Sequence, residues 1–222
     1  PGLLMTRDSM PTFNRSLIQF ILRGTIILLL ATIPVLIVTR SDSHETSSPA
    51  GLAMKEGAQA FERGAFGEAL SHWKQAGELY KGSGNAPAQV EALVLSAQAS
   101  MGLGQSKQAL QSLELALTLV QKSGDPLIEA PILGHLGRIY LALRQLPEAS
   151  EYLKQAADIA HKQKASPLMA TTLNDLGILS ALKQQDKNAL DAFQESVSHA
   201  QSAGLLLLAA TTRTNAARVL LR

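Results

Sequence analysis

From about residue 50 onward, apolar positions recur with helical spacing and polar residues fill the gaps. In "LGHLGRIY", Leu133, Leu136, Gly137 and Tyr140 stand at i, i+3, i+4 and i+7, one face of a helix. The same face returns at a fixed interval: Gly57, Ala97, Gly137, Gly177 and Ala217 are 40 residues apart. Twelve residues after the first four come Ala69, Ala109, Ala149 and Ala189. Large apolar residues follow at Trp73, Leu113, Leu153 and Phe193, then small ones at Ala76, Ala116, Ala156 and Ser196. Four columns held in register over four units predict an internal repeat.

Each unit reads as two helices. The first ends near Gly64, Gly104, Arg144 or Gln184, and the second carries the Ala-x-x-x-large stretch. "KGSGNAP", "KSGDP" and "KASP" separate the units with glycine and proline suited to helix ends and starts. Gly84, Gly124 and Gly204 fall in the same register as C-cap glycines. A glycine inside a helix costs roughly 1 kcal/mol relative to alanine. At Gly137 the cost is offset if a large residue of the partner helix fills the notch.

The motif Leu136-Gly137-x-x-Tyr140, followed by Ala149-x-x-x-Leu153 and Ala156, resembles the tetratricopeptide repeat. Leu176-Gly177-Ile178-Leu179-Ser180 with Ala189-x-x-x-Phe193 repeats it. The resemblance covers about residues 50–222. The common unit has 34 residues; the period of 40 is similar to a longer class found in bacterial regulators and animal spindle-orientation adaptors. Ala60, Ser100 and Ser180 stand where that motif has an aromatic, and its proline near the end of the second helix is absent. The resemblance implies an all-α, right-handed α-solenoid of helix-turn-helix repeats.

Leu17–Val38 is apolar apart from Gln19, Arg23 and two threonines. At about 1.5 Å per residue this segment spans a hydrocarbon core of about 30 Å. An uncleaved membrane anchor is the leading reading, with Arg23 reaching the headgroups. A signal peptide with its apolar core at Gly24–Val38 is the alternative, and a buried core helix a third. Arg7 and Arg15 precede the segment, and Asp42 and Glu45 follow it with Arg40. That asymmetry places the N-terminus in the cytoplasm and the repeats periplasmic or extracytoplasmic, on a single-pass inner or plasma membrane protein. The expected organisation is a tail at 1–16, a transmembrane helix or signal anchor at 17–38, a polar linker at 39–50 and the array at 51–222. Met10 is an alternative start.

Composition narrows the chemistry. The chain has no cysteine, which excludes disulfides, thiolate zinc sites and cysteine nucleophiles. Residues 51–222 hold 16 Lys and Arg against 15 Asp and Glu, so the basic excess lies at the N-terminus. No basic stripe marks a nucleic-acid surface. His44, His72, His135, His161 and His199 form no metal motif and read as surface or groove residues. "GLGQSK", Gly102–Lys107, looks like a phosphate loop, but its register puts it in a turn between two helices. No catalytic, cofactor or metal site is expected, and the chain reads as a non-enzyme.

The resemblance implies a concave groove, lined by first helices, that takes a protein or peptide. With Leu133, Leu136, Gly137 and Tyr140 packed inward, the groove columns are those of Pro131, Gly134, Arg138 and Leu141. Across the units these columns give partner-binding candidates Glu91, Gln98, Arg138, Asn174, Thr214 and Arg218. The carboxylate-binding versions need a fixed lysine and asparagine pattern, which is not matched here. Residues 205–222 read as the first helix of a fifth unit, with a downstream segment of the same chain expected to cover it. The alternative function is the regulatory front half of a longer protein with a caspase-like peptidase or signalling domain.

Overall fold

The computed structural model describes residues 48–221. Residues 17–38 lie outside the described residues; among those described, no helix is long and apolar enough to cross a membrane. Four helix pairs and one further helix follow in order: α1 (Pro49–Glu62) and α2 (Phe66–Ser83), α3 (Ala86–Gly102) and α4 (Ser106–Ser123), α5 (Pro126–Ala142) and α6 (Leu146–Lys162), α7 (Ser166–Leu182) and α8 (Asp186–Ser202), then α9 (Leu206–Leu220). The array begins at Pro49, two residues before the expected boundary. Ser48 is the reason: its Oγ accepts the Gly51 amide at 3.0 Å, and Pro49 pre-sets the first turn.

Each helix packs on the next along the chain, and α5, α7 and α9 also touch one another in that order. Such nearest-neighbour packing is the architecture of an α-solenoid. Second helices bury a narrow stripe. On α6 it is Ala149, Leu153, Ala156 and Ala160; on α8 it is Ala189, Phe193, Ser196 and Ala200. The first helices α3, α5 and α7 are enclosed on most sides. Their apolar residues therefore run round the helix instead of forming one stripe.

The small–large columns meet across each pair. A Cβ added to Gly137 would stand 2.6 Å from Leu153 Cδ2, one on Gly57 2.5 Å from Trp73 Nε1, and one on Gly177 2.5 Å from Phe193 Cε1. Trp73 also donates its indole N–H to the Met54 carbonyl at 3.2 Å. In the second unit Ala97 faces the corresponding leucine, Leu113, which is still fully buried. A methyl is thus compatible with a leucine opposite it.

The turns obey a shorter period. Gly64, Gly84, Gly104, Gly124, Arg144, Lys164, Gln184 and Gly204 all have positive φ, at 20-residue spacing. "GLGQSK" is accordingly a turn, between α3 and α4. Arg144 (φ 62°), Lys164 (51°) and Gln184 (60°) carry a Cβ in a left-handed conformation that costs such residues roughly 1–2 kcal/mol.

Two outcomes are expected. Gly57→Ala and Gly177→Ala, which set a methyl against rigid rings, lower stability by about 1–3 kcal/mol, while Gly137→Ala costs less because Leu153 can shift as Leu113 has. Thermal denaturation of the three variants ranks them. Gln184→Gly relieves the left-handed strain and raises stability by about 0.5–1 kcal/mol in denaturant titration, after the entropy cost of glycine is taken off.

Candidate functional site: the first-helix face

The first helices carry a row of polar side chains where neighbouring units meet. On α5, Arg138 Nη2 donates to His135 Nδ1 at 3.2 Å. Across the junction, Arg138 Nε lies 3.2 Å from Asp175 Oδ2 on α7. The Nε hydrogen finds no acceptor, so this contact is Coulombic, not a directed hydrogen bond. Asn174 Nδ2 donates to Asp175 Oδ1 at 3.2 Å. Asn174 Oδ1 in turn accepts from Thr212 Oγ1 at 3.1 Å and Asn215 Nδ2 at 3.0 Å, both on α9. Ser196 of α8 lies 3.4 Å from the Thr212 hydroxyl and donates to the Ala170 carbonyl at 2.6 Å. The run crosses four helices and is buried along most of its length.

Repeat register places His135, Asp175 and Asn215 in one column, with Leu95 before them. Arg138, Ile178 and Arg218 form the half-exposed rim on one side; Glu91, Pro131, Thr171 and Thr211 form it on the other. The polar column is the floor between these rims.

Burial sets the charges. His135 is enclosed, and burial followed by the Arg138 charge holds its pKa well below the usual imidazole range. The ring is neutral and can accept from Arg138. Burial raises the Asp175 carboxyl to about 6; Arg138 and the Asn174 hydrogen bond oppose the rise without cancelling it.

The six sequence candidates separate accordingly. Glu91 and Arg218 lie half-buried on the two rims, and Thr214 is exposed on α9. Gln98 and Asn174 are corrections: both are buried, at 7% and 1% exposure. Arg138 keeps 15% of its side chain exposed, with Asp175 beside its charge. The reason is one of facing. The column of Val94, Gly134 and Asn174 points at the next first helix, not at an open groove, and Thr214 is exposed because α9 has no following helix among the described residues. His135 is corrected too, from a surface or groove residue to an interior one. Asp175, Thr212 and Asn215 were not singled out from sequence. A carboxylate and an amide at the helix-facing positions 175 and 215, in the His135 column, were the available signal.

The tetratricopeptide repeat family model matches residues 89–162 and 128–202, together just over half of the chain. The protein therefore belongs to the tetratricopeptide repeat family. Similar solved structures include nearly identical TPR-like repeats of a kinesin light chain from Podosopora anserina, at 21% identity and TM-score 0.62, covering 77% of this chain and 85% of that one. The apo form of RapI matches at 19% identity and TM-score 0.65, over 76% and 60% of the two chains. BtubC (BKLC) from P. vanneervenii matches at 17% and 0.56, over 90% and 89%. At these identities the likeness shows the fold. A comparison with curated proteins finds no match. The array is a scaffold of a kind suited to protein–protein interaction, and its fold is one that typically carries no catalysis. Among the described residues, no cluster of three or more His, Asp or Glu could hold a metal ion.

The two buried titrations oppose each other. Asp175 binds its proton more tightly in the folded state, so its contribution to stability is present below pH 4 and lost as pH rises through about 6, roughly 3 kcal/mol at ~1.4 per pH unit. His135 binds its proton less tightly when folded, so its contribution is present above about pH 6.5 and is lost as pH falls below that. Where both groups titrate, the two slopes oppose each other. Asp175→Asn removes one of them: as pH rises towards 6, the denaturant midpoint of that variant should climb relative to that of the parent.

Proposed function

We propose that this protein is a scaffold that docks a protein or peptide segment along the first-helix face. The observation that carries the reading is the polar floor of His135, Asp175 and Asn215 between two half-exposed rims on a repeat array of an interaction family. Arg218 makes no ion pair with any described residue, so its guanidinium remains available for a carboxylate of the partner. Glu91 and Thr214 add hydrogen bonds, and Arg138 contributes through its exposed fraction. Asn174 acts from below, holding the floor in place through Asp175 and Asn215.

Residues 17–38 are proposed to tether the array to the inner or plasma membrane, with the repeats on the extracytoplasmic side. Carbonate extraction of membranes tests the tether: retention in the pellet supports it, and release of a chain with a new N-terminus near residue 40 supports the signal-peptide alternative.

Docking is tested by photocrosslinking in the host cell. A crosslinking residue at Thr171, Ile178 or Thr211 should give a discrete adduct that weakens several-fold with Arg218→Glu. The same residue at Glu114, Glu151 or Lys154 on second helices should give none. Adducts from the second helices alone would contradict the docking face.

A further inference from the structure

The polar triad at the α7–α9 junction has an incomplete copy one repeat earlier. At α7–α9, Thr212 donates to Asn174 and lies beside Ser196. Forty residues back, Thr172 keeps the hydroxyl, but Asn174 is replaced by Gly134 and Ser196 by Ala156. Thr172 is 1% exposed and its Oγ1 has no hydrogen-bond partner. A Cβ built on Gly134 meets no heavy atom within 4 Å. One repeat further back the same three positions are Ile132, Val94 and Ala116, all apolar, so none of them asks for a partner.

We propose that the α5–α7 junction is a binding site for ordered water, seated between Gly134 and Thr172, where it takes the part that the Asn174 side chain plays at α7–α9. Asn174 fills the corresponding position and is itself only 1% exposed, so the room beside Gly134 is interior. A partner side chain would not reach it, whereas a water needs only about one probe sphere of space and two to four polar groups. Those groups are present. The Thr172 hydroxyl is one. Arg138, one turn after Gly134 on the same face of α5, offers an Nε–H that no protein acceptor takes. Asp175, one turn after Thr172 on α7, offers carboxylate oxygens. An unsatisfied buried hydroxyl is costly, and hydration removes that cost without a protein partner. The α5–α7 junction is then joined through solvent, and α7–α9 by direct side-chain bonds.

The sign of one substitution tests this. Thr172→Val keeps the shape and nearly the helix propensity but removes the hydroxyl. If water is bound, the variant strands it, and the unfolding equilibrium constant in urea rises about 2- to 10-fold. If the site is dry, the variant removes an unpaired polar group and the constant stays the same or falls, which overturns the proposal. Should Thr172→Val fail to fold, a water–amide NOE measurement on the parent chain decides: a cross-peak from a long-lived water to the Gly134 amide is expected, and its absence would overturn the site.

Discussion

The close approach of paired helices at Gly57, Gly137 and Gly177 is the constraint on which the rest of the array depends. A ring or an isobutyl group sits where a Cβ would stand, so helix separation within a unit is set by the backbone itself. With that separation fixed, Ala69, Ala109, Ala149 and Ala189 bury completely, and each second helix needs only a narrow apolar stripe. The second unit shows the tolerance of the device: Ala97 takes the small position, and the large one is a leucine with room to adjust.

Stacking the units then encloses the first helices, and this decides where polarity can go. Second helices keep a solvated outer face. Polar side chains on the inner side of α5, α7 and α9 are instead satisfied mostly by one another. His135, Arg138, Asp175, Asn174, Thr212 and Asn215 form a continuous run, and the Thr172 hydroxyl stands outside it. The run is concentrated in the last units, and the α3–α5 junction is mainly apolar apart from the buried Gln98 amide, whose nitrogen has no partner. One fold thus carries two kinds of junction, and the polar one gives the first-helix face its charge and hydrogen-bonding character.

The fold was legible because its signals are local and repeated. The 40-residue columns, the proline and glycine at helix ends and the Gly137–Leu153 pairing follow from spacing alone. Positive φ at Arg144, Lys164 and Gln184 was less visible, because no glycine marks those turns and only the 20-residue register reveals them. The facing of the first helices was the part misjudged. Periodicity gives one packing face per helix, but α5 and α7 pack on several sides, so Asn174 looks outward when only its own pair is considered. Its burial depends on the next unit's first helix, through Thr212 and Asn215, a contact about forty residues away that no single-helix pattern contains. The same cause hid Asp175 as the partner of Arg138.

The most direct test of the account is a double-mutant cycle at Gly177 and Phe193, read as unfolding free energy in denaturant. Gly177→Ala is expected to lose most of its cost when Phe193→Leu is present, because the Ala97–Leu113 pair already shows that combination folded. Costs that simply add, with no coupling between the two sites, would show that helix separation is set elsewhere and would contradict the small–large pair as the constraint on which the array is built.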